Sequence, residues 1–154
     1  MKPRTLFAAV PRVLVVEDDP HALGYIGEIF RMWGWTVDAV MTGRQALDRV
    51  DDNCPDLIVS DLVLPGMSGL ELMKALREQR SDCVIFFVLV TGYGTVSRAV
   101  SAIDAGADEV LLKPFTDEDV RVLLERNGFP VDVRGKEAGD GRAAARGDRA
   151  GGGT

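Results

Sequence analysis

The chain has 154 residues and a net charge of −6, with 46% hydrophobic and 27% charged residues. That length suffices for one domain with a sizeable core, and the composition excludes collagen-like, wholly disordered and membrane-embedded chains. No apolar run reaches the roughly 18 residues that span a bilayer, and the acidic balance without a basic face argues against a general nucleic-acid binder.

The opening, MKPRTLFAAVPR, has an apolar stretch shorter than the roughly 7–15 residues of a signal peptide's central region. Residues 1–10 therefore read as an N-terminal arm of a cytoplasmic protein. RVLVVEDD (12–19) is β-branched and apolar, then stops on acids. HALGYIGEIFRMWGW (21–35) sets Leu23, Ile26, Phe30 and Trp33 on one helical face. TVDAVM (36–41) alternates as a strand does, and TGRQALDRV (42–50) predicts a short helix with Ala46, Leu47 and Val50 inward. DLIVSD (56–61) is a third strand, and GLELMKALREQ (69–79) a helix burying Leu72, Met73 and Leu76. Its Glu71, Lys74, Arg77 and Glu78 read as a solvated face. CVIFFVLVT (83–91) is continuously apolar, as a central parallel strand is. TVSRAVSAIDAG (95–106) predicts a helix with Val96, Ala99, Val100 and Ile103 on one side and a closing glycine. DEVLLK (108–113) is a fifth strand. TDEDVRVLLERNG (116–128) is a helix with a threonine cap, acids in its first turn, and Val120, Leu123 and Leu124 inward.

Five strand–helix pairs in alternation predict an α/β fold: a flavodoxin-like three-layer (βα)5 sandwich over residues 11–128, with a parallel five-stranded sheet in order 2-1-3-4-5. From residue 129 the composition changes. The last 24 residues hold seven of the chain's 17 glycines and almost no large apolar side chain. They cannot bury enough surface to offset their ordering entropy, and 129–154 reads as a disordered Gly/Ala/Arg-rich tail. Cys54 and Cys83 lack metal-like spacing and read as two reduced thiols in or near the core. His21, the one histidine, reads as an exposed residue of the first helix. Of Trp33 and Trp35, at least one belongs to the core and neither is a stacking platform.

The polar residues that end these strands carry the chemistry. Glu17, Asp18 and Asp19 follow the first strand, Asp61 ends the third, Thr91 the fourth, and Lys113 the fifth, just before Pro114. A parallel sheet places all of them at its carboxyl edge, where such sheets bind ligands. Clustered carboxylates repel and need a cation, and an all-oxygen site suits Mg2+. A carboxylate nucleophile, a lysine charge and a threonine hydroxyl together suit phosphoryl transfer to an acid, giving an acyl phosphate.

VLVVEDDP, DLVLPGMSGLEL, VTGYG and GADEVLLKPF, taken together and in this order, resemble the receiver domain of bacterial two-component response regulators, across residues 11–126. The resemblance implies a single-domain phosphoprotein of phosphorelay signal transduction, with no enzymatic turnover beyond self-phosphotransfer and autodephosphorylation. It implies that Asp61 is the phosphoacceptor, that Glu17 and Asp18 hold Mg2+ together with Asp61 and the Val63 backbone carbonyl, that Thr91 is the switch hydroxyl, and that Lys113 senses the phosphate. It also implies a cis peptide before Pro114. The implied partners are a sensor histidine kinase or a histidine phosphotransfer protein, and a downstream protein target; the acidic balance and the lack of a spanning apolar run add the expectation of no direct DNA binding and no membrane contact.

Two departures stand out: the residue at 110, and a tail that reads as too short and too polar for a DNA-binding output domain. Val110 occupies a position where the family usually has Tyr or Phe, and Tyr93 is the neighbouring candidate to supply that aromatic. Val63 and Tyr93 flank the family's path for hydrolytic water, and an apolar and a bulky residue there predict slow loss of the phosphoryl group. The rivals are a receiver-shaped interaction module not regulated by phosphorylation, and a hydrolase working through an aspartyl phosphate.

Overall fold

The computed structural model describes residues 10–92 and 96–134. Its elements run β1 (Arg12–Val16), α1 (Pro20–Met32), β2 (Thr36–Val40), α2 (Gly43–Asp52), β3 (Leu57–Asp61), α3 (Gly69–Gln79), β4 (Phe86–Gly92), α4 (Val96–Asp104), β5 (Glu109–Lys113) and α5 (Asp117–Arg126). The five strands are parallel, in the expected order β2-β1-β3-β4-β5. Strand four is shorter than the apolar pattern suggests. β1 ends at Val16, so its acids stand in the following loop, and β4 starts only at Phe86.

Strand alternation divides the core in two. Val13, Val15, Leu57, Val59, Val88 and Val90 face α1 and α5, meeting Ile26, Phe30, Val120 and Leu124. Leu14, Val16, Ile58, Phe87 and Leu89 face the other way, meeting Leu47, Val50, Leu72, Met73 and Ala102 of α2, α3 and α4. Burying each such large side chain contributes about 1.5–3 kcal/mol. Helix starts follow local chemistry. Asp19 caps α1 by accepting from the Ala22 N–H at 3.0 Å, with Pro20 behind it, while Ser68 with Glu71 and Thr116 with Asp119 form reciprocal capping boxes.

Three sequence-based expectations need correction. The α4 face is rotated: Ala102 is buried, whereas Val100 and Ile103 are about half exposed. Small alanines let α4 lie close to the sheet, and the larger residues turn outward. Cys54 and Cys83 are not reduced thiols but a disulfide, with Cα atoms 5.9 Å apart. Leu57 pairs with Phe86 across β3 and β4, and each cysteine stands three residues before its member of that pair. A sequence separation of 29 hides an adjacency that the strand register enforces. Closing such a loop withdraws about 3–4 kcal/mol of chain entropy from the denatured state in the loop-entropy account.

The packed domain also continues past the expected boundary at 128. Phe129 and Val133 are buried. The Phe129 ring lies 6.0 Å from that of Trp35 and 5.2 Å from that of Phe86. The Trp35 indole N–H donates to the Val131 carbonyl at 3.0 Å, and the Val133 N–H to the Trp33 carbonyl at 2.7 Å. Gly34, with φ of 89°, ends α1 and leaves room for the Arg134 backbone, which would lie 3.0 Å from a Cβ there. The tryptophans thus seat a strap that composition alone assigned to the tail. The arm through residue 9, the segment from 135 and Tyr93 lie outside the described residues.

Phe129→Ala is expected to lower the unfolding free energy by about 3–5 kcal/mol, read by urea unfolding. An unchanged midpoint would show that the strap carries no stability.

Candidate functional site

The carboxyl edge gathers the residues singled out above. Register places Ser60 opposite Val16, Asp61 opposite Val90, and Lys113 opposite Gly92. Glu17, one step past β1, therefore stands beside Asp61 of the neighbouring β3, and Lys113 reaches both from β5, two strands beyond β3 on the same side. The Lys113 Nζ lies 2.9 Å from Asp61 Oδ2 and 3.3 Å from Glu17 Oε1. The other Asp61 oxygen accepts the Val63 N–H at 3.1 Å, and the other Glu17 oxygen accepts the Asp19 N–H at 3.1 Å. Both carboxylates are thereby aimed by backbone as well as by charge.

Glu17 is 1% exposed. Burial pushes its carboxyl above the usual range and the negative charge of Asp61 adds to this, while the Asp19 N–H and the Lys113 charge offset it only in part. Burial alone would lower the Lys113 ammonium. The hydrogen bond and charge of Asp61, helped by Glu17, outweigh it and hold Lys113 above the usual lysine range.

Asp18 completes the cluster. Glu17, Asp18 and Asp61 each present an oxygen, and the three atoms lie within 4.8 Å of one another. That donor set fits a hard divalent cation such as Mg2+, which takes oxygen ligands and retains water in the remaining positions. Thr91 is buried one step beyond Val90 on β4, and Val63 is 62% exposed at the rim. Val110 is half-buried against the α2–α3–α4 side of the core, and the Lys113–Pro114 peptide is cis. His21 is exposed, as expected.

Two supporting residues escaped the sequence reading. A Cβ at Gly69 would run into the Asp61 carbonyl oxygen and lie 2.9 Å from Leu89 Cδ2, so glycine lets α3 start directly against β3. Its one signal in the sequence is a glycine just after a serine cap. Arg77 is no free surface charge: it donates to the Ile85 carbonyl at 2.9 Å, the Gly106 carbonyl at 3.2 Å and Asp108 at 3.1 Å. It ties α3 to the start of β4 and to the turn after α4.

A parallel sheet with an acidic, cation-suited pocket at its switch point defines an α/β class suited to phosphoryl chemistry, and comparison with known proteins identifies the family. The family model "Response regulator receiver domain" matches residues 13–125, and the chain belongs to that family, the receiver of two-component response regulators. It is 36% identical over 133 residues to the transcriptional regulatory protein TcrA of Mycobacterium tuberculosis, covering 84% of this chain and 51% of TcrA. It is 36% identical over 131 residues to the response regulator MprA of Mycolicibacterium vanbaalenii, covering 82% of this chain and 55% of MprA. The chain thus spans about half the length of these curated relatives. Among solved structures, the chemotaxis response regulator CheY4 of Vibrio cholerae superposes with a TM-score of 0.71 at 27% identity, over 77% of this chain and 98% of CheY4.

Lys113→Ala leaves Glu17 buried without its ammonium. It is expected to cost about 1–2 kcal/mol in EDTA, less than a fully buried pair because Lys113 is one-third exposed. Added Mg2+ is expected to recover part of the loss. Equal urea midpoints for both proteins in EDTA would contradict the assignment of Lys113 as the counter-charge.

Proposed function

We propose that this receiver accepts a phosphoryl group on Asp61 from the phosphohistidine of a sensor histidine kinase or a histidine phosphotransfer protein. The observation that carries the reading is the convergence of Glu17, Asp18, Asp61 and Lys113 at one point of the carboxyl edge. Glu17, Asp18, Asp61 and the Val63 carbonyl would hold Mg2+, which when bound neutralises charge on the phosphoryl oxygens. One Asp61 oxygen attacks phosphorus while the bond to the partner's histidine nitrogen breaks. Val63 N–H and Lys113 orient the Asp61 carboxylate before attack, which removes the need to reorganise it during transfer. Afterwards the Lys113 ammonium faces a phosphoryl oxygen in place of its carboxylate partner, and the Thr91 hydroxyl takes another.

Differential contacts of Thr91 and Lys113 with the phosphoryl group would then shift the α4–β5 surface between two states. Val100, Ile103, Leu112 and Val122 are exposed apolar residues on α4, β5 and α5, which suits readout by a downstream protein. With a net charge of −6, the receiver is assigned no direct DNA contact. No helix among the described residues is long and apolar enough to cross a membrane, and the reading places the protein in the cytoplasm. Its activity is confined to self-phosphotransfer and autodephosphorylation. Val110, in place of the family's aromatic ring, favours one alternative: an interaction module of receiver shape that works unphosphorylated.

Acetyl phosphate with Mg2+ is expected to add one group of about 80 Da by intact mass, absent in Asp61→Asn. The adduct is expected to persist for minutes or longer, because the Val63 side chain has no polar atom to orient a hydrolytic water. No adduct supports the interaction module. Steady phosphate release at many turnovers per second supports a hydrolase.

A further inference from the structure

The Cys54–Cys83 pair lies at the amino ends of β3 and β4, the edge opposite the carboxylate pocket. We propose that it is a modification site: a reversible thiol–disulfide pair that exchanges with low-molecular-weight disulfides. The inference rests on the cytoplasmic placement proposed above, since a compartment that keeps thiols reduced makes a surface disulfide a redox-responsive element rather than a scaffold.

Three observations carry it. First, the sulfurs stay near each other without their bond. Arg80 donates to the Val50 carbonyl at 3.2 Å, to Asp51 at 3.0 Å and to Asp82 at 2.9 Å, pinning the last turn of α2, which ends two residues before Cys54, to the loop that carries Cys83. Re-forming the disulfide is then an intramolecular step between prepositioned groups. Second, the pair is accessible. Cys54 is exposed and Cys83 half-buried at the margin of the core, so reduction opens no cavity inside. Third, Arg80 Nη2 lies 3.8 Å from Cys54 Sγ. A guanidinium there favours the thiolate, the nucleophilic form, although Asp51 and Asp82 share that charge and temper it.

Oxidation runs in two displacements. The Cys54 thiolate attacks one sulfur of an incoming disulfide, forming a mixed disulfide and expelling one thiolate. The Cys83 thiolate then attacks Cys54 Sγ and expels the second. Two protein thiols lose two electrons and two protons, and the incoming disulfide becomes two thiols. Reduction is the reverse. Closing the bond removes denatured-chain entropy, so the oxidised form resists unfolding more strongly and its loops exchange amide hydrogens more slowly.

The test equilibrates the full chain, undenatured, with glutathione and glutathione disulfide at varied ratio, then acid-quenches, alkylates and weighs it. The expected result is a smooth passage from two alkyl groups per chain to none as the disulfide form replaces the thiol. Cys83→Ser is expected to trap one glutathione on Cys54, and Arg80→Gln to slow that capture several-fold. A pair that stays bonded until the protein is denatured, or that stays fully alkylated throughout, overturns the proposal. Phosphorylation of Asp61, weighed in parallel samples, does not depend on this exchange, so either reading can fail alone.

Discussion

Lys113 stands between two acids that would otherwise repel each other. Its ammonium touches Asp61 and Glu17 together, and Glu17 is almost fully enclosed. At separations near 3 Å in a partly dry pocket, such contacts outweigh the desolvation of the partly buried lysine, which is why its proton is held more tightly than usual. The same contact fixes geometry. Lys113 ends β5, Asp61 ends β3 and Glu17 follows β1, so one cation measures the stagger of three strands at the carboxyl edge.

That stagger is set by the core rather than by the pocket. The two apolar clusters lock β1, β3 and β4 from both faces, and a one-residue slip of any strand would exchange its two faces. Gly69 adds a local condition, since only a residue without a Cβ lets α3 begin against the Asp61 carbonyl. The opposite edge carries covalent and aromatic closures: the Cys54–Cys83 bond, the Arg80 bridges, and the strap of Phe129 to Val133 over the tryptophans. Chemistry and closure are thus placed at opposite ends of the same strands.

Most of the fold and the gathering of Glu17, Asp18, Asp61 and Lys113 at one edge were legible in the sequence because both are written in strand ends. Apolar runs stopping on Asp61, Thr91 and Lys113 mark the carboxyl edge without reference to tertiary structure. What was not legible depends on register or on side-chain size. The cysteine pair needs the Leu57–Phe86 pairing. The phase of α4 follows from how closely Ala102 can approach the sheet, which a count of apolar residues misreads in favour of Val100 and Ile103. Arg77 looks like any charge on a helix until the turn after α4 supplies carbonyls for it. Phe129 and Val133 are too sparse to signal order until Trp33 and Trp35 are seen beneath them.

Calorimetric titration of Mg2+ tests the charge balance most directly, because on the proposed reading the ion would compete with the Lys113 ammonium for the same carboxylates. The account predicts one ion per chain, bound more tightly in Lys113→Met, and weakened in Asp18→Asn by at least the roughly tenfold that even outer partners of a metal contribute. Affinity unchanged by Lys113→Met, or undiminished in Asp18→Asn, would contradict it.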